Sequence, residues 1–310
     1  MNRQPQRNIV VIGGPTASGK SDLALRLAES IGGEIVNADS MQVYRGMDIG
    51  TAKPSPRQRQ DIRHHLIDVV EPDQAFSAAD FATAADAAIA DITSRGKRAI
   101  VVGGTGLYIR ALLKGLVDSP GGGAEIRAAL QQEASQVGNG AMLEQLRLVD
   151  PDLAAQLHPN NLVRIIRALE VYRLTGVPLS RQQRDHGFRS SRYEVLQLAV
   201  DVERSLLYRR IEQRVERMVE EGLLDEVARL LAHGYGRELK SMGAIGYKES
   251  AAHLCGEFSR DEAIRLIKRN TRHYAKRQLT WFRAEPEIMW FEYPEKFATI
   301  NSQAIDFFRQ

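Results

Sequence analysis

A doubly wound α/β fold, a parallel sheet with helices on both faces interrupted by an all-helical insertion, is what this sequence predicts. Three observations carry it. A glycine-rich turn over 13–20 separates an apolar run from a helical pattern, strand-like and helical segments alternate through the first third of the chain, and strand-like texture then vanishes after Pro120 until about Glu194.

Asn8 to Ile12 reads as a buried strand, and Ser21 to Ser30 as a helix with Leu23, Leu27 and Ile31 on one face. Glu34 to Ala38 is a second short strand ending at Asp39. Ser77 to Thr93 is alanine-rich and helical, the crossover that parallel strands require. Ala99 to Val102 is a third strand, running into Gly103-Gly104-Thr105-Gly106. After Pro120 and the glycines at 121–123, helices are expected over Ala124 to Gln136, near Met142 to Leu148, and over Leu162 to Leu174, the last capped by Asn160 or Asn161 and stopped by Gly176. Glu194 to Asp201 resumes as a strand; Tyr208 to Glu221, Leu223 to Ala232 and Arg260 to Phe282 are long helices. The expected organisation is a catalytic core from 1–119 and 192–310, with an inserted helical subdomain over 120–191.

Composition narrows the class. With 310 residues, 43% hydrophobic, the chain buries a substantial core, and no segment recurs at the spacing of a solenoid or propeller. A net charge of +3 permits an anionic partner without demanding one. The single cysteine, Cys255, excludes an internal disulfide and a cysteine-based zinc site, and fits a reducing compartment. The N-terminus lacks the apolar stretch of a signal peptide and no run approaches a membrane span, so a cytoplasmic protein is expected. Nothing in the sequence argues for a dimer, and a monomer is the default.

The sharpest motif is Gly14-Pro15-Thr16-Ala17-Ser18-Gly19-Lys20-Ser21, a full GxxxxGK[ST] match placed between strand and helix. Its glycines let backbone N–H groups converge on phosphate oxygens, the helix N-terminus adds positive potential, Lys20 neutralises a phosphate, and the Ser21 hydroxyl suits Mg²⁺. The sheet is therefore expected to be of the P-loop NTPase-like kind. The motif does not say which phosphate ester it holds.

Asp39, Ser40, Met41 and Gln42 place a carboxylate at a strand end and a carboxamide three residues on. Asp39 suits either a metal or hydroxyl ligand in a kinase, or a base accepting a proton from an attacking amine. Gln42 suits an adenine edge. A helix cap at Asp39 and a solvated Gln42 are the plain structural alternative. Arg210, Arg214 and Arg217 share a helix face at i, i+4 and i+7, a cationic stripe fit for a diphosphate or for local ion pairs. Between 260 and 285, eight arginines and lysines face three acids, with His273, Tyr274, Trp281 and Phe282 interleaved, which suits phosphate contacts and stacking on unpaired RNA bases.

Taken in order, GPTASGKS at 14–21, NADSMQVYRGMDIGTAKP at 37–54, HHLIDVVEP at 64–72 and VVGGTGLYIRALL at 101–113 resemble the tRNA dimethylallyltransferases, or tRNA isopentenyltransferases. The likeness continues through 162–176, 210–227, 243–249 and 271–283, covering nearly the whole chain without a clear departure. The resemblance implies that Thr16 to Ser21 hold the diphosphate of dimethylallyl diphosphate rather than ATP, that Asp39 is the base, and that Thr105 contacts the acceptor adenosine beside the tRNA anticodon. It implies tRNA contact by Asp39 to Gln42 and Arg127, by Val163, Arg164, Ile165, Ile166 and Arg167, and by Gly243, Ala244, Ile245, Gly246, Tyr247 and Lys248. Lys276, Arg277, Gln278, Leu279, Thr280, Trp281, Phe282 and Arg283 complete that set. Either Arg210 or Arg214 is expected at the diphosphate.

Three rivals share the phosphate loop. A small-molecule kinase gives no role to the basic C-terminal helix, an adenylate isopentenyltransferase does not require the long cationic surface, and an RNA-binding GTPase or ATPase calls for a guanine-reading or Walker-B element that the sequence does not display.

Overall fold

The computed structural model describes residues 7–117, 123–187 and 192–309. Pro120, Gly121 and Gly122, where the sequence texture changes, lie outside the described residues. In chain order the elements are Arg7–Gly13 (β1), Lys20–Ile31 (α1), Gly33–Asn37 (β2), Pro56–Asp61 (α2), His64–His65 (β3), Ala78–Ser94 (α3), Arg98–Val102 (β4) and Gly106–Lys114 (α4). Ala124–Val149 (α5), Pro151–Ala154 (α6), Leu162–Thr175 (α7) and Leu179–His186 (α8) follow. Then come Tyr193–Asp201 (β5), Arg204–Glu220 (α9), Leu223–Ala232 (α10), Tyr247–Leu254 (α11), Arg260–Arg283 (α12), Met289–Glu292 (β6) and Phe297–Phe307 (α13). The two helices expected between 124 and 148 are both present within α5 and meet at a kink at Gly138, whose φ of 80° lies in the left-handed region that glycine enters without strain.

Two compact units result, one from segments 1–113 and 191–310 and one from segment 114–190. In the larger, six strands pair in the order β3-β2-β4-β1-β5-β6, every pair parallel. β1 is central and wholly apolar over Ile9–Ile12, as a strand covered on both faces must be. Its side chains alternate between two layers. Ile9 and Val11 pack with Phe81, Ile89 and Ile92 of α3, Tyr108 and Ile109 of α4, and Phe282 of α12. Val10 and Ile12 pack with Leu23, Leu27 and Ile31 of α1 and with Ile300 and Ala304 of α13. This is the doubly wound arrangement, and it leaves the loops after β1, β2 and β4 at the carboxyl edge, where ligands of such sheets bind. A third cluster ties Val43, Tyr44 and Met47 of the loop after β2 to α9, α10, α11 and α12.

The smaller unit is helical. Leu130, Met142 and Leu146 of α5 pack against Ile165, Ile166 and Leu169 of α7. Asp150, buried, fixes its corner by accepting hydrogen bonds from the backbone N–H groups of Leu153 (3.1 Å) and Ser180 (2.9 Å). No helix among the described residues is long and apolar enough to cross a membrane.

Candidate active site

The turn from β1 into α1 coils tightly, with positive φ at Gly14 (133°), Ala17 (63°) and Gly19 (99°). Alanine is rarely held in that region, and such strain is tolerated where neighbouring structure and function demand it. α1 starts at Lys20 with no side-chain cap, so its first backbone N–H groups are left for an anion. The Ser18 hydroxyl is fully buried inside the turn without a hydrogen-bond partner.

Lys20 reaches back across this turn, its Nζ donating to the Pro15 carbonyl at 3.0 Å. Burial, reinforced by the nearby positive charge of Arg214 and opposed by Asp39, brings its ammonium down to about 8 from an ordinary 10.5. Arg214 is likewise lowered, chiefly by burial. Lys20 and Arg214, both half-buried, line one cavity, and a pair of cations so placed suits an anionic ligand. Both arginines left open by the sequence approach the loops: Arg210 donates to the Ser18 carbonyl and Arg214 to the Thr51 carbonyl, each at 3.4 Å. Arg214 lines the cavity described next, as Arg210 does not.

A cavity of about 570 Å³ opens beyond the strand ends, within the size range of small-molecule sites. Thr16, Lys20, Ser21, Asp39 to Gln42, Arg214, Gly243 to Lys248, Tyr274, Arg277 and Gln278 line it, together with the apolar Val215, Met218 and Ile267. Asp39 sits two residues past β2. Its Oδ1 accepts from the N–H of Met41 (2.8 Å) and of Gln42 (3.4 Å), so the carboxylate both caps the local turn and is held rigid at the cavity wall. Thr105 joins the loops after β2 and β4: its Oγ1 accepts from the Ser40 N–H at 3.0 Å and donates to Ser40 Oγ at 3.3 Å. Gln42 spends its amide N–H on the carbonyls of Thr51 (3.0 Å) and Ala52 (3.3 Å), which orients it against the 48–52 loop.

Three residues of this site escape the sequence reading in their actual roles. Glu226, buried on α10, accepts from the N–H groups of Asp48 (3.0 Å), Ile49 (2.8 Å) and Gly50 (3.2 Å), and from the Tyr247 hydroxyl at 2.6 Å. It holds the 48–51 loop in place. Tyr274 lines the cavity, and burial, with the negative charge of Asp39, pushes its hydroxyl up to about 12. Gln278, expected at the RNA, is buried instead; its Oε1 accepts from the Thr16 N–H at 2.9 Å and its Nε2 donates to the Gly104 carbonyl at 2.9 Å.

The other residues expected at RNA take varied places in the fold. Phe282 is core, its ring filling the space that a side chain at Gly13 would need. Trp281 is half-buried against Gly106 with the Arg110 guanidinium over its ring, and Leu279 packs beside Leu207 and Ile211. Tyr247 is buried on Glu226. In the smaller unit Ile165 and Ile166 are core, while Arg127 and Arg167 both bind the buried carboxylate of Glu170, at 2.8 and 3.0 Å. Val163 and Arg164 are exposed, as are Gly243, Lys248, Lys276, Arg277, Thr280 and Arg283. Ala244 and Ile245 are half-buried at the cavity rim.

The model for IPP transferase matches residues 42–285, most of the chain. The chain belongs to the IPP transferase family. Within it, this member is 64% identical over 300 residues to tRNA dimethylallyltransferase 1 of Pelobacter propionicus, covering 97% of each chain. It is 59% identical to the tRNA dimethylallyltransferase of Geobacter metallireducens, covering 99% of this chain and all of that one. Among solved structures it is similar to the full-length tRNA isopentenylpyrophosphate transferase of Bacillus halodurans, with a TM-score of 0.71 and 40% identity over 97% of this chain and 96% of that one. A eukaryotic dimethylallyltransferase acting on tRNA superposes with a TM-score of 0.80 at 30% identity, over 96% of this chain and 77% of that one. The P-loop NTPase-like sheet is thus shared across the family's bacterial and eukaryotic members.

Proposed function

We propose that this IPP transferase moves a dimethylallyl group from dimethylallyl diphosphate to the exocyclic amine of the adenosine 3′-adjacent to the tRNA anticodon, releasing diphosphate. The observation that carries the reading is that the phosphate cradle and the Asp39 carboxylate face one cavity, in a chain matched end to end by tRNA dimethylallyltransferases. The adenine amine attacks C1 of the prenyl chain as the C1–O bond to diphosphate breaks. Its surplus proton passes to Asp39, and the bonding electrons leave with the diphosphate.

That amine is a weak nucleophile, so charge stabilisation on the leaving group supplies much of the rate. Thr16, Lys20, Ser21 and Arg214 line the cavity for that task, with Arg210 bracing the loop at the Ser18 carbonyl. Val215, Met218 and Ile267 supply an apolar wall for the prenyl chain. Thr105 and Gln42 orient the adenosine. Ser21, which lines the cavity beside Lys20, is the residue that would hold a Mg²⁺ ion through its hydroxyl, and such an ion would add charge neutralisation to the diphosphate. The reading is of a monomeric, cytoplasmic enzyme whose exposed Lys276, Arg277 and Arg164 meet RNA phosphates.

The test is transfer of labelled dimethylallyl to unmodified tRNA, to free AMP, and to a tRNA carrying guanosine at the target position. Label on the adenosine tRNA alone is expected. Label on AMP points to a nucleotide prenyltransferase, and ATP hydrolysis without transfer to a kinase-like enzyme.

A further inference from the structure

α12 faces two ways. Lys276 and Arg277 are exposed, whereas Gln278 is turned inward and buried, with Tyr274 one turn before it at the cavity wall. The Gln278 amide is divided between two loops that belong to opposite ends of the reaction. Oε1 accepts from the N–H of Thr16 in the phosphate cradle, and Nε2 donates to the carbonyl of Gly104, next to Thr105. Both bonds are 2.9 Å, so the side chain spans the gap between the β1 and β4 loops with good geometry at each end. The fit is close: a methyl group on Gly104 would collide with Gln278 Nε2.

The consequence is geometric. In the proposed reaction the 14–21 turn holds the diphosphate, and Asp39, Ser40 and Thr105 hold the adenosine, the Thr105 hydroxyl being bonded to Ser40. A reaction between two bound substrates depends on the separation of their cradles; backbone pairing of the β1 and β4 ends stops at the bond from the Gly103 N–H to the Ile12 carbonyl, and beyond it the Gln278 amide ties the two loops. We propose that Gln278 is a positioning residue that holds the donor cradle and the acceptor loop in register, so that its loss slows the transfer step rather than the capture of either substrate. The inference rests on the transfer reaction proposed above.

Gln278→Met keeps the volume and removes both hydrogen bonds. Saturating single-turnover transfer should fall about 10²-fold, the scale of an ångström-sized misplacement, while KM for dimethylallyl diphosphate and for tRNA stays within about threefold. Gly104→Ala leaves Gln278 in the chain but displaces its amide, and should give the same split; it carries the test if the methionine variant does not fold, as judged by far-ultraviolet circular dichroism. Gln278→Glu, which accepts from Thr16 but repels the Gly104 carbonyl, should not restore the rate. An unchanged transfer rate in a folded variant, or a raised KM with the rate intact, overturns the proposal. Absence of transfer by the unaltered protein overturns the reaction itself, and the inference with it.

Discussion

Lys20 is the residue at which electrostatics and function meet most directly. Its ammonium is lowered to about 8, so in the free enzyme the charge is present below that pH and lost above it. The kcat/KM for dimethylallyl diphosphate should therefore decline as pH rises through about 8, whereas kcat at saturation, with the bound diphosphate restoring the charge, should hold to higher pH. Lys20→Ala should remove that limb of the profile, and a wild-type profile flat to pH 10 would contradict the assignment. Glu34 carries a stability counterpart remote from chemistry. The Arg95 guanidinium, aided by His65 and Lys97 and opposed by burial, holds its carboxyl near 2, below the ordinary 4.5. A depressed carboxylate contributes stability that is present above about 4.5 and lost as pH falls through about 2. Glu34→Gln should lower the thermal midpoint at pH 7, with the difference from wild type shrinking below pH 4.5.

At the scale of residues, legibility follows locality. Gly14 to Ser21 are readable because the left-handed backbone and the phosphate chemistry reside in eight consecutive positions. Asp39 is readable because it ends a strand. Gln278 and Glu226 are not, because each acts on loops distant in the chain, and nothing in the sequence around them marks the partner.

Helix α12 shows the same limit at the scale of elements. Its basic composition reads as an RNA face, and its exposed side carries Lys276 and Arg277. Its aromatic residues read the same way, yet Phe282 is needed under β1, because the sheet lies against that stripe. Lys276→Ala with Arg277→Ala should weaken tRNA binding and reduce the slope of log affinity against log salt by about two, one for each phosphate no longer neutralised; an unaltered slope would show that this face meets no RNA. The 48–51 loop makes a parallel case. Glu226 binds three of its backbone N–H groups and the buried Tyr247 hydroxyl, so Glu226→Ala leaves that hydroxyl and the part-buried N–H groups without their acceptor and should cost about 1–3 kcal/mol of stability, measured by urea unfolding. The strands β3 and β6 escape the sequence for a simpler reason: two and four residues are too few for a period to register.

For the whole molecule, the alternation of strands and helices suffices to read a doubly wound sheet, since the crossovers that α1 and α3 make between β1, β2 and β4 are written as helical patterns between apolar runs. The smaller unit is legible as helices but not in its ion pairing, where the exposed Arg127 and the half-buried Arg167 both reach the buried Glu170 carboxylate. The phosphate loop after β1 and the carboxylate after β2 face a single cavity, and in the reaction proposed above they serve a single transfer. The measurement that bears on it most directly is single-turnover transfer of labelled dimethylallyl to tRNA by the wild type and by Asp39→Asn, with tRNA affinity measured alongside. The account predicts efficient labelling by the wild type and a rate about 10³-fold lower in the variant, with tRNA affinity nearly unchanged; equal rates in the two proteins would contradict it.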